Sequence, residues 1–199
     1  MLARLIGVTG YAKHGKDSTG KVLQKHFGYK RYAFADQLKE MALVLNPIIP
    51  NEPYADRLYT VVQDQGWDKA KENPEIRRFL QVLGTEAVRD FLGADAWVRA
   101  LSKRMHEDDV FGVTADGVDL DPHTKIVITD VRFPNEADWV RKVGGSLWRI
   151  VRLNADGSVF DNGIGSDHPS EKYIAGLHVD RVLEAYTLGD LEKAVLESV

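Results

Sequence analysis

Cysteine is absent from this chain of 199 residues, which excludes disulfides and thiolate-bound metals and is compatible with a reducing cytoplasm. Long apolar runs are missing too: no stretch approaches the ~18–20 residues that a membrane-spanning helix needs. The opening MLARLIGVT is apolar but short, lacks a small-residue cleavage site and runs into a glycine-rich turn. It is expected to form a buried first strand rather than a signal peptide. There is no internal repeat and no low-complexity tract. Nor is one sign of charge in large excess. The formal net charge of −4 argues against bulk, non-specific binding to nucleic acid, while leaving room for a local basic pocket for phosphates. What is present suits a folded globule. Hydrophobic residues make up 44%, enough for a sizeable core, and charged residues 28%, so disorder is a poor overall description. The length fits one α/β domain, or one domain with a lid.

Apolar spacing gives the order of elements. Ala3 to Thr9 reads as a buried strand, Gly10 to Gly15 as a loop and Lys16 to His26 as a helix. Tyr29 to Phe34 reads as a second strand, after which Asp36 suits a helix N-cap before Leu38, Met41, Ala42 and Leu45. Pro47, Pro50 and Pro53 then imply a loop. The signals from Asn46 to Asn73 are mixed, with a short helix expected near Ala55 to Gln63. Pro74 to Gly93 is strongly helical, with a bend or break expected at Gly84. Trp97 to Met105 is another helix. The acidic stretch from His106 to Pro122, with its Ala115-Asp116-Gly117 turn signal, reads as a surface insertion or lid containing a small hairpin. Further strands are expected at Ile126 to Thr129, Leu147 to Leu153 and Val182 to Ala185, and helices at Asn135 to Val143 and Gly189 to Glu197. Asn154 to Gly165 is loop-like. Strands alternating with helices favour a mostly parallel sheet covered on both faces.

The sharpest local signal is Gly10-Tyr11-Ala12-Lys13-His14-Gly15-Lys16-Asp17-Ser18. It matches G-x-x-x-x-G-K between a buried strand and a helix, and departs from the usual pattern by placing Asp17 where Ser or Thr is common. Glycines let the backbone turn its N–H groups onto phosphate oxygens, and the helix N-terminus adds partial positive charge. Lys16 can then reach β- and γ-phosphates. The alternative is a plain glycine-rich turn with a solvated lysine. Asp17 has two readings: an oxygen ligand for Mg²⁺, direct or through water, or a first-turn acid favoured by the helix dipole. Ser18 or Thr19 could supply the oxygen instead.

Lys125-Ile126-Val127-Ile128-Thr129-Asp130 is an apolar strand ending in an acid, the position where a carboxylate faces metal and phosphates in phosphate-loop folds. A turn or capping aspartate is the other reading. Arg132 follows, suited to gripping a phosphate with its planar fork or to a surface salt bridge.

Together these residues resemble the phage-type deoxynucleoside monophosphate kinases, a branch of the P-loop kinases. The matching pieces are Gly15-Lys16-Asp17-Ser18, Phe34-Ala35-Asp36, Leu83-Gly84-Thr85-Glu86 with Arg89, Asp130-Val131-Arg132-Phe133-Pro134-Asn135-Glu136, and Asp167-His168-Pro169-Ser170-Glu171. The G-K-D loop and the D-V-R-F-x-N-E block are the more specific. The resemblance implies a P-loop NTPase-type three-layer α/β sandwich. Its core would be residues 1–35 and 124–199, its acceptor-binding helical region about 36–105, and its lid or hairpin about 106–123. It implies transfer of the γ-phosphoryl of ATP to the 5′-phosphate of a deoxynucleotide, with Mg²⁺. It gives Gly10, Ala12, Lys13, His14, Gly15, Lys16, Asp17 and Ser18 to ATP, and Asp17, Ser18 and Asp130 to the metal.

Catalysis would fall to Lys16, Arg132 and Asp130. Asp36, Lys39, Arg89 and Trp97 would lie near the acceptor, with Glu136, His168, Ser170 and Glu171 as further candidates. Physical spacing adds that Asp36 and Lys39 are one helical turn apart, and that Gln81, Thr85 and Arg89 form a polar stripe, either an acceptor surface or a solvated face. Trp97 could stack on a base or sit in the core. Asp167 or Ser170 would cap a helix there, and no general base is required of His168, because a phosphate is already a competent nucleophile. The implied setting is the cytoplasm, a host's for a phage-encoded chain, with small-molecule partners and neither nucleic acid nor membrane. A homodimer is allowed without being required. Two rivals remain open from the residues: a kinase of another phosphorylated metabolite, of the phosphomevalonate or dephospho-coenzyme A type, and a non-enzymatic or motor nucleotide-binding module.

Overall fold

A computed structural model describes residues 3–51, 54–114, 117–121, 123–161 and 169–199. The chain forms two compact units, one from the residues up to Phe34 together with those from Leu101 on, the other Ala35–Ala100.

The first unit is built on a sheet. Its central strand β1 is Leu5–Thr9, buried at every position, as a strand covered on both faces must be. The other strands are β2 (Lys30–Tyr32), β7 (Ile126–Ile128), β8 (Ser146–Arg152) and β9 (Arg181–Ala185). They lie in the order β2-β7-β1-β8-β9, and every pairing is parallel. On one face Ile6, Val8, Val127, Trp148, Ile150 and Leu183 form a core with Leu23 of α1 (Lys16–Phe27) and with Leu191 and Val195 of α9 (Leu188–Leu196). Helix α7 (Pro134–Lys142) packs on β1 and β8 from the other side, burying Ala137 and Val140. These are the three layers of a P-loop NTPase-type α/β sandwich. Parallel order requires long crossovers, and one of them, between β2 and β7, carries the whole second unit.

Two features differ from the sequence reading at β2. The strand is short, and α2 (Phe34–Leu45) begins at Phe34, so Asp36 lies within the first turn rather than at the cap. The first amide of α2 is satisfied from elsewhere: Phe34 N–H donates to Asp130 Oδ1 at 2.8 Å. Burial pushes the Tyr32 phenol up to about 12, helped by its hydrogen bond to Asp108 Oδ2 at 2.9 Å. This unit also holds the antiparallel hairpin of β5 (Phe111–Thr114) and β6 (Gly117–Leu120), while the turn residues Ala115 and Asp116 fall outside the described ones.

The second unit is mainly helical. After α2 comes an antiparallel ribbon of β3 (Ile48–Asn51) and β4 (Tyr54–Arg57), where the prolines had implied a loop. Pro50 opposes Ala55 in it; a two-stranded ribbon has free edges on both sides, so a residue without an N–H is tolerated. Helix α3 is Leu58–Ala70, later than expected and broken at Gly66, whose φ of 75° and ψ of 165° are not helical. Asn73 caps α4 (Pro74–Val82) by accepting from Glu75 N–H at 2.8 Å. The break expected at Gly84 takes the form of a π turn at Leu83–Ala87, followed by α5 (Arg89–Leu92). Helix α6 is Ala96–Glu107. No helix among the described residues is long and apolar enough to cross a membrane.

Candidate active site

The segment Gly10–Gly15 leaves β1 at the carboxyl edge of the sheet and turns into α1. Its backbone takes left-handed values at Gly10 (φ 146°), Lys13 (φ 64°) and Gly15 (φ 103°). Two of these need glycine on steric grounds as well. A Cβ on Gly10 would lie 2.5 Å from the backbone oxygen of Ile150, and one on Gly15 would lie 2.7 Å from Leu191 Cδ2. The loop closes on its own lysine. Lys16 Nζ donates to the carbonyls of Gly10 and Tyr11, each at 2.7 Å, and the side chain is buried. A positive charge therefore sits inside the concave loop at the N-terminus of α1, where backbone dipoles also favour an anion.

Next along α1, Asp17 is exposed and Ser18 half-buried. Thr19 is buried and its hydroxyl donates to Gly15 O at 3.1 Å, so it is used within the helix. The loop residue His14 is buried, with Nε2 3.0 Å from Phe160 O and Nδ1 accepting from Arg152 N–H at 3.3 Å. Ala12 is half-buried and Lys13 exposed.

The register of β1 against β7 pairs Gly7 with Ile128, which brings Asp130 level with the end of β1, at the edge where the loop starts. Val131 N–H donates to Val8 O at 3.0 Å and holds the chain there. Asp130 is engaged with the Phe34 amide, as described above. The half-buried Arg132 is fixed by its backbone: Glu136 Oε2 accepts from Arg132 N–H at 2.8 Å and from Phe133 N–H at 3.1 Å. Glu136 is only 2% exposed. Its carboxylate satisfies the N-cap amide of α7 at Phe133 and the amide of Arg132 just before it, a positioning task at the start of the helix. Glu136→Ala is expected to cost about 2 kcal/mol in urea denaturation, through two amides left without an acceptor. Glu136→Gln, which keeps one carbonyl oxygen, recovers most of that loss.

In the second unit Asp36 and Lys39 are half-buried and paired with each other at 3.8 Å. Gln81 is exposed, and Thr85 and Arg89 are half-buried. The residue inserted by the π turn lets the eight positions from Gln81 to Arg89 cover about two turns, so these two keep one face. Arg89 Nη1 donates to Ala94 O at 3.0 Å. Trp97 is 5% exposed and its indole N–H donates to Gly84 O at 2.8 Å. It is a core residue that pins the π turn, the second of its two sequence readings. His168 and Asp167 lie outside the described residues, as do the side chains of Ser170 and Glu171, whose backbone belongs to α8 (Pro169–Ile174). Sequence reasoning did not single out Arg152 and Phe160. Arg152 sits over the Phe160 ring at 4.1 Å, and their link to His14 spans more than a hundred positions, beyond any local pattern.

The donors that could serve a divalent cation, Asp17, Ser18 and Asp130, are all hard oxygens. Among the described residues no three of His, Cys, Asp or Glu form a cage. That set suits Mg²⁺, which takes one or two protein oxygens and completes its shell with phosphate and water.

Comparison with known proteins agrees with this chemistry. The family model of deoxynucleotide monophosphate kinase matches residues 52–172. A protein of Acanthamoeba polyphaga mimivirus assigned as a deoxynucleotide monophosphate kinase is 32% identical over 169 residues, covering 84% of this chain and 80% of that protein. The deoxynucleoside-5′-monophosphate kinase of Escherichia phage T5 is 26% identical over an alignment of 254 positions, covering 94% and 96%. A looser likeness links the structure to a shikimate kinase of Aquifex aeolicus, with a TM-score of 0.47, 9% identity, and 98% and 95% of the chains covered. The chain belongs to the deoxynucleotide monophosphate kinase family.

Proposed function

We propose that this chain transfers the γ-phosphoryl group of ATP to the 5′-phosphate of a deoxynucleoside monophosphate, yielding ADP and the deoxynucleoside diphosphate. The observation that carries the reading is the left-handed loop between β1 and α1, with the Lys16 ammonium held inside it by the carbonyls of Gly10 and Tyr11. In the proposed reaction an oxygen of the acceptor phosphate attacks the γ-phosphorus in line. The bond from that phosphorus to the β–γ bridging oxygen breaks, and ADP leaves. No general base is required, so positioning and charge neutralisation carry the step.

Lys16 would exchange its carbonyl partners for β- and γ-oxygens. The loop amides and the N-terminus of α1 would hold the remaining charge. Arg132, its backbone set by Glu136, would orient a transferring or accepting phosphate. Asp17, Ser18 and Asp130 would hold Mg²⁺, which when bound supplies positive charge to the polyphosphate oxygens. Asp36 and Lys39, with the face carrying Gln81, Thr85 and Arg89, are assigned to the acceptor, and His168, Ser170 and Glu171 to its surroundings.

The test is an acceptor panel. ATP and Mg²⁺ are supplied with each deoxynucleoside monophosphate, each ribonucleoside monophosphate, phosphomevalonate or dephospho-coenzyme A, and ADP release is followed together with the phosphorylated product. One or more deoxynucleotides should stimulate ADP release with equal formation of the diphosphate. Stimulation by a different phosphorylated metabolite, with the deoxynucleotides inert, overturns the acceptor assignment.

A further inference from the structure

We infer that His14 is a positioning residue, its imidazole spliced into the edge of β8 as a hydrogen-bonded rung that couples the phosphate loop to the turn at residues 153–160. The inference rests on the reading of that loop as the nucleotide site.

Strands β1 and β8 pair in register as far as Thr9 and Arg149. Gly10 then leaves the sheet, and the edge of β8 beyond that point needs another partner. The chain supplies one by turning back through Asn154–Ser158. Leu153 bridges Val159 in antiparallel sense, and Phe160 N–H donates to Arg152 O at 2.8 Å. In a hydrogen-bonded antiparallel pair the reciprocal bond would run from Arg152 N–H to Phe160 O. Here the His14 ring is inserted between them. Arg152 N–H donates to Nδ1 at 3.3 Å, and Nε2 meets Phe160 O at 3.0 Å. An amide N–H can only donate and a carbonyl only accept, so the tautomer is fixed: Nδ1 bare, Nε2 protonated. The ring is 3% exposed, so losing either bond would strand a buried polar group.

The consequence is mechanical. His14 sits immediately before Gly15, the residue whose left-handed backbone opens α1. Whatever polyphosphate fixes the loop also fixes the ring, and the ring fixes the backbone of Arg152 and Phe160, whose side chains stack. Coupling of this kind is reciprocal: an ordered turn favours the bound loop as much as a bound loop favours the ordered turn.

The test compares the wild-type chain with His14→Phe, which keeps a ring and removes both bonds. Amide hydrogen exchange is followed with and without ADP, and ADP affinity is measured by calorimetry. In the wild type, ADP should slow exchange both at Gly15–Thr19 and at the Phe160 amide. In His14→Phe it should slow the first group only, with ADP affinity about tenfold weaker and the KM for ATP raised by more than kcat falls. ADP protection of Phe160 that survives in the variant, or that is missing in the wild type, overturns the coupling. If ADP does not bind the wild type, the nucleotide reading itself fails. The splice then still stands or falls on nitrogen NMR of labelled histidine in the wild type, where a protonated Nδ1 of His14 refutes it; the same measurement serves if the variant does not fold.

Discussion

Lys16→Ala is expected to lower phosphoryl transfer by about a thousandfold, in the range seen when one preorganised charge-stabilising donor is lost, while the chain stays folded. The fold should survive because the side chain bonds to carbonyls of its own loop, Gly10 O and Tyr11 O, and is not a member of the cluster around Ile6, Val127 and Ile150. The chemistry should not survive, because charge develops on the β–γ bridge where that ammonium is proposed to act, in a buried place where water substitutes poorly. Single-turnover transfer with saturating ATP, read beside circular dichroism and a thermal melt, separates the two. Turnover within a few-fold of the wild type would remove Lys16 from the mechanism.

Gly10→Ala should act on folding and binding together. At φ 146° an L side chain is strained, and the new Cβ would stand 2.5 Å from the Ile150 carbonyl oxygen, a backbone atom tied into the sheet. Backbone strain and overpacking add, so the expected loss is at least about 3 kcal/mol in urea denaturation. Relief of the clash means pushing Gly10 off β8, which moves the carbonyl that holds Lys16. The surviving folded fraction should therefore bind ADP weakly. A variant of ordinary stability and ordinary ADP affinity would show that the loop is not shaped by this contact.

The parts of the site that are local in sequence were the legible ones. LIGVT followed by G-x-x-x-x-G-K states a buried strand, a turn and a helix within a score of residues, and the structure has them there. Pro134 at the first helical position with Glu136 two residues on is a helix-start signal as well. Read as such, it would have given Glu136 its amide-binding task from sequence alone. Other parts were not legible. The start of α2 at Phe34 depends on a carboxylate from Asp130, almost a hundred positions away, so the local choice of Asp36 as cap was reasonable and displaced. The prolines between 47 and 53 argued for a loop because propensity does not say whether a strand has a neighbour on both sides. Trp97 shows the same limit: spacing puts a large ring on a helix, and only the fold says that its N–H meets Gly84 O and its faces meet the core.

The self-bonded lysine has a further consequence. A loop already cross-linked by its own ammonium, and already committed to left-handed backbone at Gly10, Lys13 and Gly15, settles most of its conformational entropy when the protein folds, leaving the smaller remainder to be taken up when a nucleotide arrives. An incoming polyphosphate then trades partners with Lys16 in a receptacle whose main shape is set beforehand. Preorganisation of this sort lowers the ordering cost of association and leaves the encounter rate governed mainly by orientation and electrostatic attraction.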